Sequence, residues 1–118
     1  MLPSSVETAE ITVAELAMLT AAGSSPVPAP LLVDCREPDE HAICNINGSV
    51  LIPLSTFAAN AEAALPDKGR PLIIYCHHGM RSQRATEFLR RKGYTESFSL
   101  VGGIHAWAEA VEPEMPRY

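Results

Sequence analysis

The fold turns on one stretch: Pro71-Leu72-Ile73-Ile74-Tyr75-Cys76-His77-His78-Gly79-Met80-Arg81-Ser82. Its first five residues form a short apolar run opened by proline, the pattern of a strand buried on both faces. The period then changes, and Ala85, Phe88 and Leu89 recur at helical spacing before Gly93. A cysteine therefore leaves a strand and enters a helix across a short loop. In an open α/β sheet, ligands bind beyond the carboxyl ends of the strands. Such a loop aims successive backbone N–H groups inward as an anion nest, and the helix adds its positive end. A thiol at that focus is expected to ionise in the ~3.5–7.5 range instead of near 8.5. Gly79 permits the sharp turn, and Arg81 adds a permanent positive charge. The bland alternative is a buried strand-end cysteine with a basic helix cap. It does not explain the order strand, cysteine, glycine, arginine, helix.

The same alternation extends in both directions. Upstream, Thr12 and Glu15 are spaced as a capping box, ahead of Val13, Leu16, Ala17 and Thr20 at helical spacing. Gly23 is expected to end that helix, and Ser24 to Pro30 to form an exposed connector. Leu31-Leu32-Val33 reads as a buried strand, and Pro38 suits the first turn of a short helix through His41. After the Asn47-Gly48 turn, Ser49 to Ile52 reads as a second buried strand. Leu54, Ala58, Ala61 and Leu65 then give a helical stripe. Downstream, Phe98 to Val101 reads as a strand. Ile104, Trp107, Ala108 and Val111 fall on one face of a last helix. Strands alternating with helices predict a mostly parallel sheet covered on both faces.

Length and charge narrow the function. A chain of 118 residues with 47% hydrophobic and 19% charged residues suits one globular domain over 1–118. No stretch approaches the about twenty apolar residues of a membrane span. The first residues lack the basic region and apolar run of a signal peptide, so a cytoplasmic location is expected. Residues 1–66 hold one basic and eight acidic side chains, and residues 67–118 hold eight basic and six acidic. The net charge of −5 gives no general attraction to nucleic acid or anionic membrane. Residues 76–92, with Arg81, Arg84, Arg90, Arg91 and Lys92 against Glu87 alone, suit a small anionic substrate. Helix-dipole preference accounts for the last three but not for Arg81. Cys35, Cys44 and Cys76 are odd in number and not at Cys-x-x-Cys spacing, which argues against a disulfide framework or zinc site.

Four segments together resemble a single-domain rhodanese. They are Val33-Asp34-Cys35-Arg36-Glu37; Ile46-Asn47-Gly48-Ser49 running to Ile52-Pro53-Leu54; Tyr75 to Ser82; and Gly102-Gly103-Ile104-His105-Ala106-Trp107. The motif-bearing core covers about 31–108. One departure is Cys44-Asn45-Ile46, where many members read Gly-His-Ile; it lies outside the loop. The resemblance implies a rhodanese-like α/β fold with a five-stranded, mostly parallel sheet. It also implies a sulfurtransferase that carries sulfur as a persulfide on Cys76, with no cofactor and no metal. The partners implied are a small anionic sulfur donor such as thiosulfate and a thiol, cyanide or protein-cysteine acceptor, with no nucleic acid and no membrane. Four residues separate Cys76 from Arg81, one fewer than in phosphatases with a similar cradle. The smaller ring favours sulfur over phosphate or arsenate chemistry. Relay of the sulfur to a partner protein, or a non-catalytic docking module, are the other readings; Cys76 argues against the last.

Roles follow for the remaining candidates. The loop residues His77, His78, Gly79, Met80, Arg81 and Ser82 are expected to bind substrate, with Arg81 holding the sulfonate end of the donor. His77 and His78, being adjacent, are expected to diverge into solvent, with thiolate tuning as the alternative. Asp34 and Arg36 are supporting residues, read as an ion pair near the site. Cys35 is read as a packed thiol, and a resolving role is weighed for Cys44. Trp107 is read as packing, Arg84 as an exposed helix residue, and Arg117 and Tyr118 as a solvated tail.

Overall fold

The computed structural model describes residues 2–21 and 29–118. Its elements are β1 (Glu10–Ile11), α1 (Val13–Thr20), β2 (Leu31–Asp34), α2 (Pro38–Ile43), β3 (Val50–Leu51), α3 (Phe57–Ala64), β4 (Leu72–Tyr75), α4 (Met80–Arg91), β5 (Ser97–Leu100) and α5 (Gly103–Ala110). The five strands form one sheet in the order β1-β5-β4-β2-β3, parallel throughout. The chain leaves β2 toward β3 on one side and β4 toward β5 on the other. The carboxyl ends of β2 and β4 therefore make the topological switch point of the sheet, where such folds open a crevice.

Two apolar layers hold the sheet. On one face Leu16, Leu19, Ile104 and Trp107 from α1 and α5 pack with Ile11, Ile73, Tyr75, Phe98 and Leu100. On the other, Phe57, Ala61, Ala85 and Leu89 from α3 and α4 pack with Val33, Leu72 and Ile74. Residues 72–75 alternate between these layers, which is why that run has no charged member.

Helix α1 starts on the expected capping box, Thr12 accepting from the Glu15 N–H and Glu15 from the Thr12 N–H. It ends at Thr20. Its expected stop at Gly23 lies outside the described residues, as does most of the connector. Glu10–Ile11 is a strand that local pattern did not announce: two residues are too few to show a period, and they are recruited by pairing with Ser99 and Leu100. The strand expected at Ser49 to Ile52 shortens to Val50–Leu51 and is not buried. It forms an edge, where one side of the strand has no neighbour, and Val50 stands exposed. In α3 the stripe runs through Phe57, Ala61 and Leu65, while Ala58 faces solvent. Among the described residues no helix is long and apolar enough to cross a membrane.

Candidate active site

Cys76 sits one residue past the end of β4, at the switch point, and is 1% exposed. The chain turns through His77, His78 and Gly79 and enters α4 at Met80. Gly79 makes the turn with φ +115°, a conformation a side chain resists, and a Cβ there would lie in contact distance of the backbone of Gly102. The turn brings the Gly79 N–H to 3.0 Å and the Ser82 N–H to 3.4 Å from Cys76 Sγ. The Ser82 hydroxyl lies 3.6 Å from the same sulfur. Hydrogen bonding from the Cys35 thiol, then from Ser82 and Gly79, outweighs burial and holds the Cys76 thiol down to about 4. It rests as a thiolate at neutral pH.

The back of the loop is held by α5. The N–H groups of Ile104 and His105 donate to the carbonyls of Cys76 and His77, at 2.9 and 3.1 Å. Those carbonyls are thereby turned away from the sulfur, leaving the N–H side of the loop facing it. The close approach requires Gly103, with φ +61°: a Cβ there would sit 2.5 Å from both carbonyl oxygens. The Gly102-Gly103 pair is thus part of the loop's construction. Behind Ser82, its hydroxyl is 2.7 Å from that of Ser99 on β5, and both are buried.

The Arg81 guanidinium donates with both arms to the Glu40 carboxylate, at 2.7 and 2.9 Å. The pair holds Glu40 down to about 2. The pair joins the loop to α2, a contact that the sequence reading of Arg81 did not include. The histidines depart from expectation. The rings of His77 and His78 do not diverge but lie 4.0 Å apart, tilted by 31°, with His105 close to both. Burial and the two neighbouring histidines push His77 below its ordinary value.

Asp34 and Arg36 form a fully buried pair at 2.7 Å, on the side of β2. Asp34 also meets His41 Nδ1 at 2.8 Å, and Arg36 donates to the Cys44 carbonyl and to the Tyr118 hydroxyl. Tyr118 is exposed, as expected of the tail, yet it is anchored: its hydroxyl also donates to Glu40 at 2.9 Å, and its ring stacks on His77 at 4.0 Å. Arg117 donates to the Ala108 carbonyl at 3.1 Å. The Tyr118 hydroxyl thus joins the two ion pairs, accepting from Arg36 and donating to Glu40. Sequence reading had no signal for Tyr118, which is 78 positions from Glu40. For Glu40, its place one turn into a Pro-initiated helix after the Asp34–Arg36 strand end was the available clue.

The three cysteines separate. Cys44 belongs to the apolar layer of α1 and α5, whereas Cys35 and Cys76 share the layer of α3 and α4. Trp107 is packed in the first of these, and Arg84 is exposed.

The comparisons agree with this geometry. The family model for the rhodanese-like domain matches residues 12–110. The chain is 36% identical over 87 residues to the probable adenylyltransferase/sulfurtransferase MoeZ of Mycobacterium tuberculosis, covering 74% of this chain and 22% of that protein. It is 36% identical over 117 residues to the adenylyltransferase and sulfurtransferase MOCS3-1 of Zea mays, covering 95% of this chain and 24% of that one. The chain thus spans about a quarter or less of these curated relatives. Among solved structures, the human single-domain sulfurtransferase TSTD1 superposes with a TM-score of 0.73 at 28% identity, covering 87% of this chain and 97% of that one. A rhodanese-related protein of Thermoplasma volcanium gives 0.72 at 29% identity, covering 88% and 94%. By sequence and by fold, this chain belongs to the rhodanese-like domain family.

Proposed function

We propose that the protein is a sulfurtransferase that carries a sulfane sulfur as a persulfide on Cys76. The observation that carries the reading is the thiolate of Cys76 facing the N–H groups of Gly79 and Ser82 at the head of α4. In the first half-reaction the thiolate attacks the outer sulfur of a donor such as thiosulfate. The S–S bond of the donor breaks, its electron pair leaves on sulfite, and Cys76 holds one extra sulfur. That outer sulfur is anionic at neutral pH, and the same inward N–H groups stabilise it without water. In the second half-reaction a nucleophilic acceptor takes the outer sulfur, and Cys76 departs as the thiolate its surroundings already favour. No metal or cofactor enters either step.

The acceptor favoured by the surface is a cysteine thiol on another protein. Met80 is 72% exposed and Val101 43% exposed, and both flank the loop through Gly79 and Gly102. Apolar side chains beside a small anion-binding pocket suit a protein surface better than a free anion. The relatives from Mycobacterium tuberculosis and Zea mays, named as joined adenylyltransferase and sulfurtransferase, support the same reading.

The test is a paired assay on one preparation: sulfur transfer from thiosulfate to cyanide against hydrolysis of an aryl phosphate. Transfer without hydrolysis, lost in Cys76→Ser, is the expected result. Hydrolysis without transfer overturns the proposal.

A further inference from the structure

Cys35 neither carries nor receives the sulfur in the transfer just described, yet its thiol adjoins the atom that does and supports it as a thiolate. Asp34 and Tyr75 are register partners on β2 and β4, so Cys35 and Cys76 make the next rung. The ladder still holds there, because the Cys35 N–H donates to the Tyr75 carbonyl at 3.0 Å. Side chains alternate along a strand, and both thiols fall on the same face, in the same apolar cluster, 0% and 1% exposed. Adjacent strands lie about 4.8 Å apart, and a disulfide spans Cα separations of about 4.4–6.8 Å. Two thiols so placed can be joined without moving either strand far.

We infer that Cys35 resolves the Cys76 persulfide from within, releasing its outer sulfur as hydrosulfide and leaving a Cys35–Cys76 disulfide. This rests on the persulfide reading above and adds a second outlet for the sulfur. The Cys35 sulfur attacks Cys76 Sγ; a bond forms between them and the bond from Cys76 to the outer sulfur breaks. The electron pair leaves on the outer sulfur, which also receives the Cys35 proton and departs as hydrosulfide. Cys35 is oxidised and the outer sulfur is reduced, so no external oxidant is needed. An external dithiol reopens the bridge and leaves as its own disulfide.

The approach is suited to displacement at Sγ. Nucleophile and leaving sulfur must lie on opposite sides; Cys35 comes from the neighbouring strand, whereas the N–H groups that hold the outer sulfur come from Gly79 and Ser82. The step is also slow by construction. Hydrogen bonding to Cys76 and burial push the Cys35 thiol far above its ordinary value, so little of it is ionised at neutral pH. An acceptor at the mouth therefore wins when present, and the internal route operates when none arrives.

The experiment loads the wild-type chain, Cys35→Val and Cys35→Ser with thiosulfate, removes excess donor, and holds all three without thiols. Intact mass and trapped sulfide are followed with time. All three should gain one sulfur atom. The wild type alone should then fall to two hydrogens below its unmodified mass and release one hydrosulfide per chain, with Cys35 and Cys76 joined on peptide mapping. Because the Cys35 proton passes to the departing outer sulfur, its rate should change little across neutral pH, and the variants should hold their sulfur at least about ten times longer. A wild type that keeps its sulfur as long as the variants, or that loses it and returns to the unmodified mass, overturns the inference. If none of the three takes up sulfur, the persulfide reading itself fails and carries this one with it. Mapping of the bridge in the wild type decides the matter even if a variant folds poorly.

Discussion

Arg81 and Glu40 meet fork to fork across the mouth of the site, with N–O distances of 2.7 and 2.9 Å. A bidentate pair fixes direction as well as distance. It joins the first turn of α4, which carries the sulfur-binding N–H groups, to α2, which follows the strand end bearing Asp34 and Arg36. The pair sets the position of the loop relative to the switch-point crevice, and the charge of Arg81 reaches Cys76 from the side.

Glu40→Gln and Arg81→Ala should therefore act as one lesion. Each is expected to slow sulfur loading and sulfur release by similar factors. The double variant should be little worse than either single one, with a coupling of about 1 kcal/mol, since Arg81 is partly open to solvent. Glu40 is depressed to about 2 in the folded protein from an ordinary 4.5, so its contribution is complete above that ordinary value and fades as pH falls toward 2. Separate kinetics of the two half-reactions check this. A defect in thiosulfate loading alone, with release unchanged, would give Arg81 the role of donor contact.

Gly103→Ala should damage the loop from behind. The positive φ adds about 1–2 kcal/mol of strain, and the new Cβ meets the carbonyls of Cys76 and His77 at 2.5 Å. We expect a fall in Tm of several degrees and a loss of transfer in the protein that remains folded. Gly48→Ala is the control: its φ is +86° but a Cβ there meets nothing within 4 Å. It should lower stability by strain alone and leave transfer intact. Equal activity losses in the two variants, measured well below both melting temperatures, would contradict the assigned role of Gly103.

The contrast between these glycines shows how far the sequence could be read. Strand, loop and helix around Cys76 were legible because apolar run, glycine and helical period lie consecutively in the chain. The layers were legible from Ala61, Leu65 and Leu89 for the same reason, whereas Phe57 was passed over for Ala58. What was hidden depends on register and on contacts distant in sequence. The pairing of Asp34 with Tyr75, which sets Cys35 beside Cys76, follows from strand alignment, and nothing within either strand specifies it. Arg81 looked free because its partner lies 41 residues away on another helix. Tyr118 looked solvated because a terminal residue shows no period. The two adjacent histidines share a side because the tight loop, unlike an extended strand, does not alternate them.

Ser99→Ala should raise the pH at which Cys76 ionises. The Ser99 hydroxyl meets that of Ser82 at 2.7 Å, and Ser82 in turn lies beside Cys76 Sγ. When Ser99 donates to Ser82, the Ser82 proton is free for the thiolate. Removal of Ser99 leaves Ser82 to satisfy the Gly79 carbonyl, 3.0 Å away, at the expense of the sulfur. The expected upward shift is about half to one pH unit, the worth of one buried hydrogen bond. Ser99→Thr, which keeps the hydroxyl, should restore the wild-type profile. An unchanged profile in Ser99→Ala would mean that Ser82 acts on the thiolate unaided.

The ionisation of Cys76 itself gives the last prediction. Its thiol is held down to about 4 in the folded chain, against an ordinary 9.0. The rate of alkylation by a neutral reagent should be flat across neutral pH and fall about tenfold per unit below that midpoint. The sign for stability follows from proton counts. Between 4 and 9.0 the unfolded chain binds a proton at this site that the native chain does not, so stability from Cys76 rises with pH over that range. It is complete above 9.0 and lost as pH falls through 4. Cys76→Ser should flatten this dependence and abolish transfer. Cys44→Ser, altered on the opposite face of the sheet, should keep both the pH profile and most of the activity. Cys35→Val should raise the alkylation midpoint, because the Cys35 thiol is the largest support of the thiolate. Alkylation at Cys76 that titrates near 9 in the folded protein would show that the nest does not hold a thiolate. A profile that shifts in Cys44→Ser instead of Cys35→Val would place the coupled thiols on the wrong pair of strands.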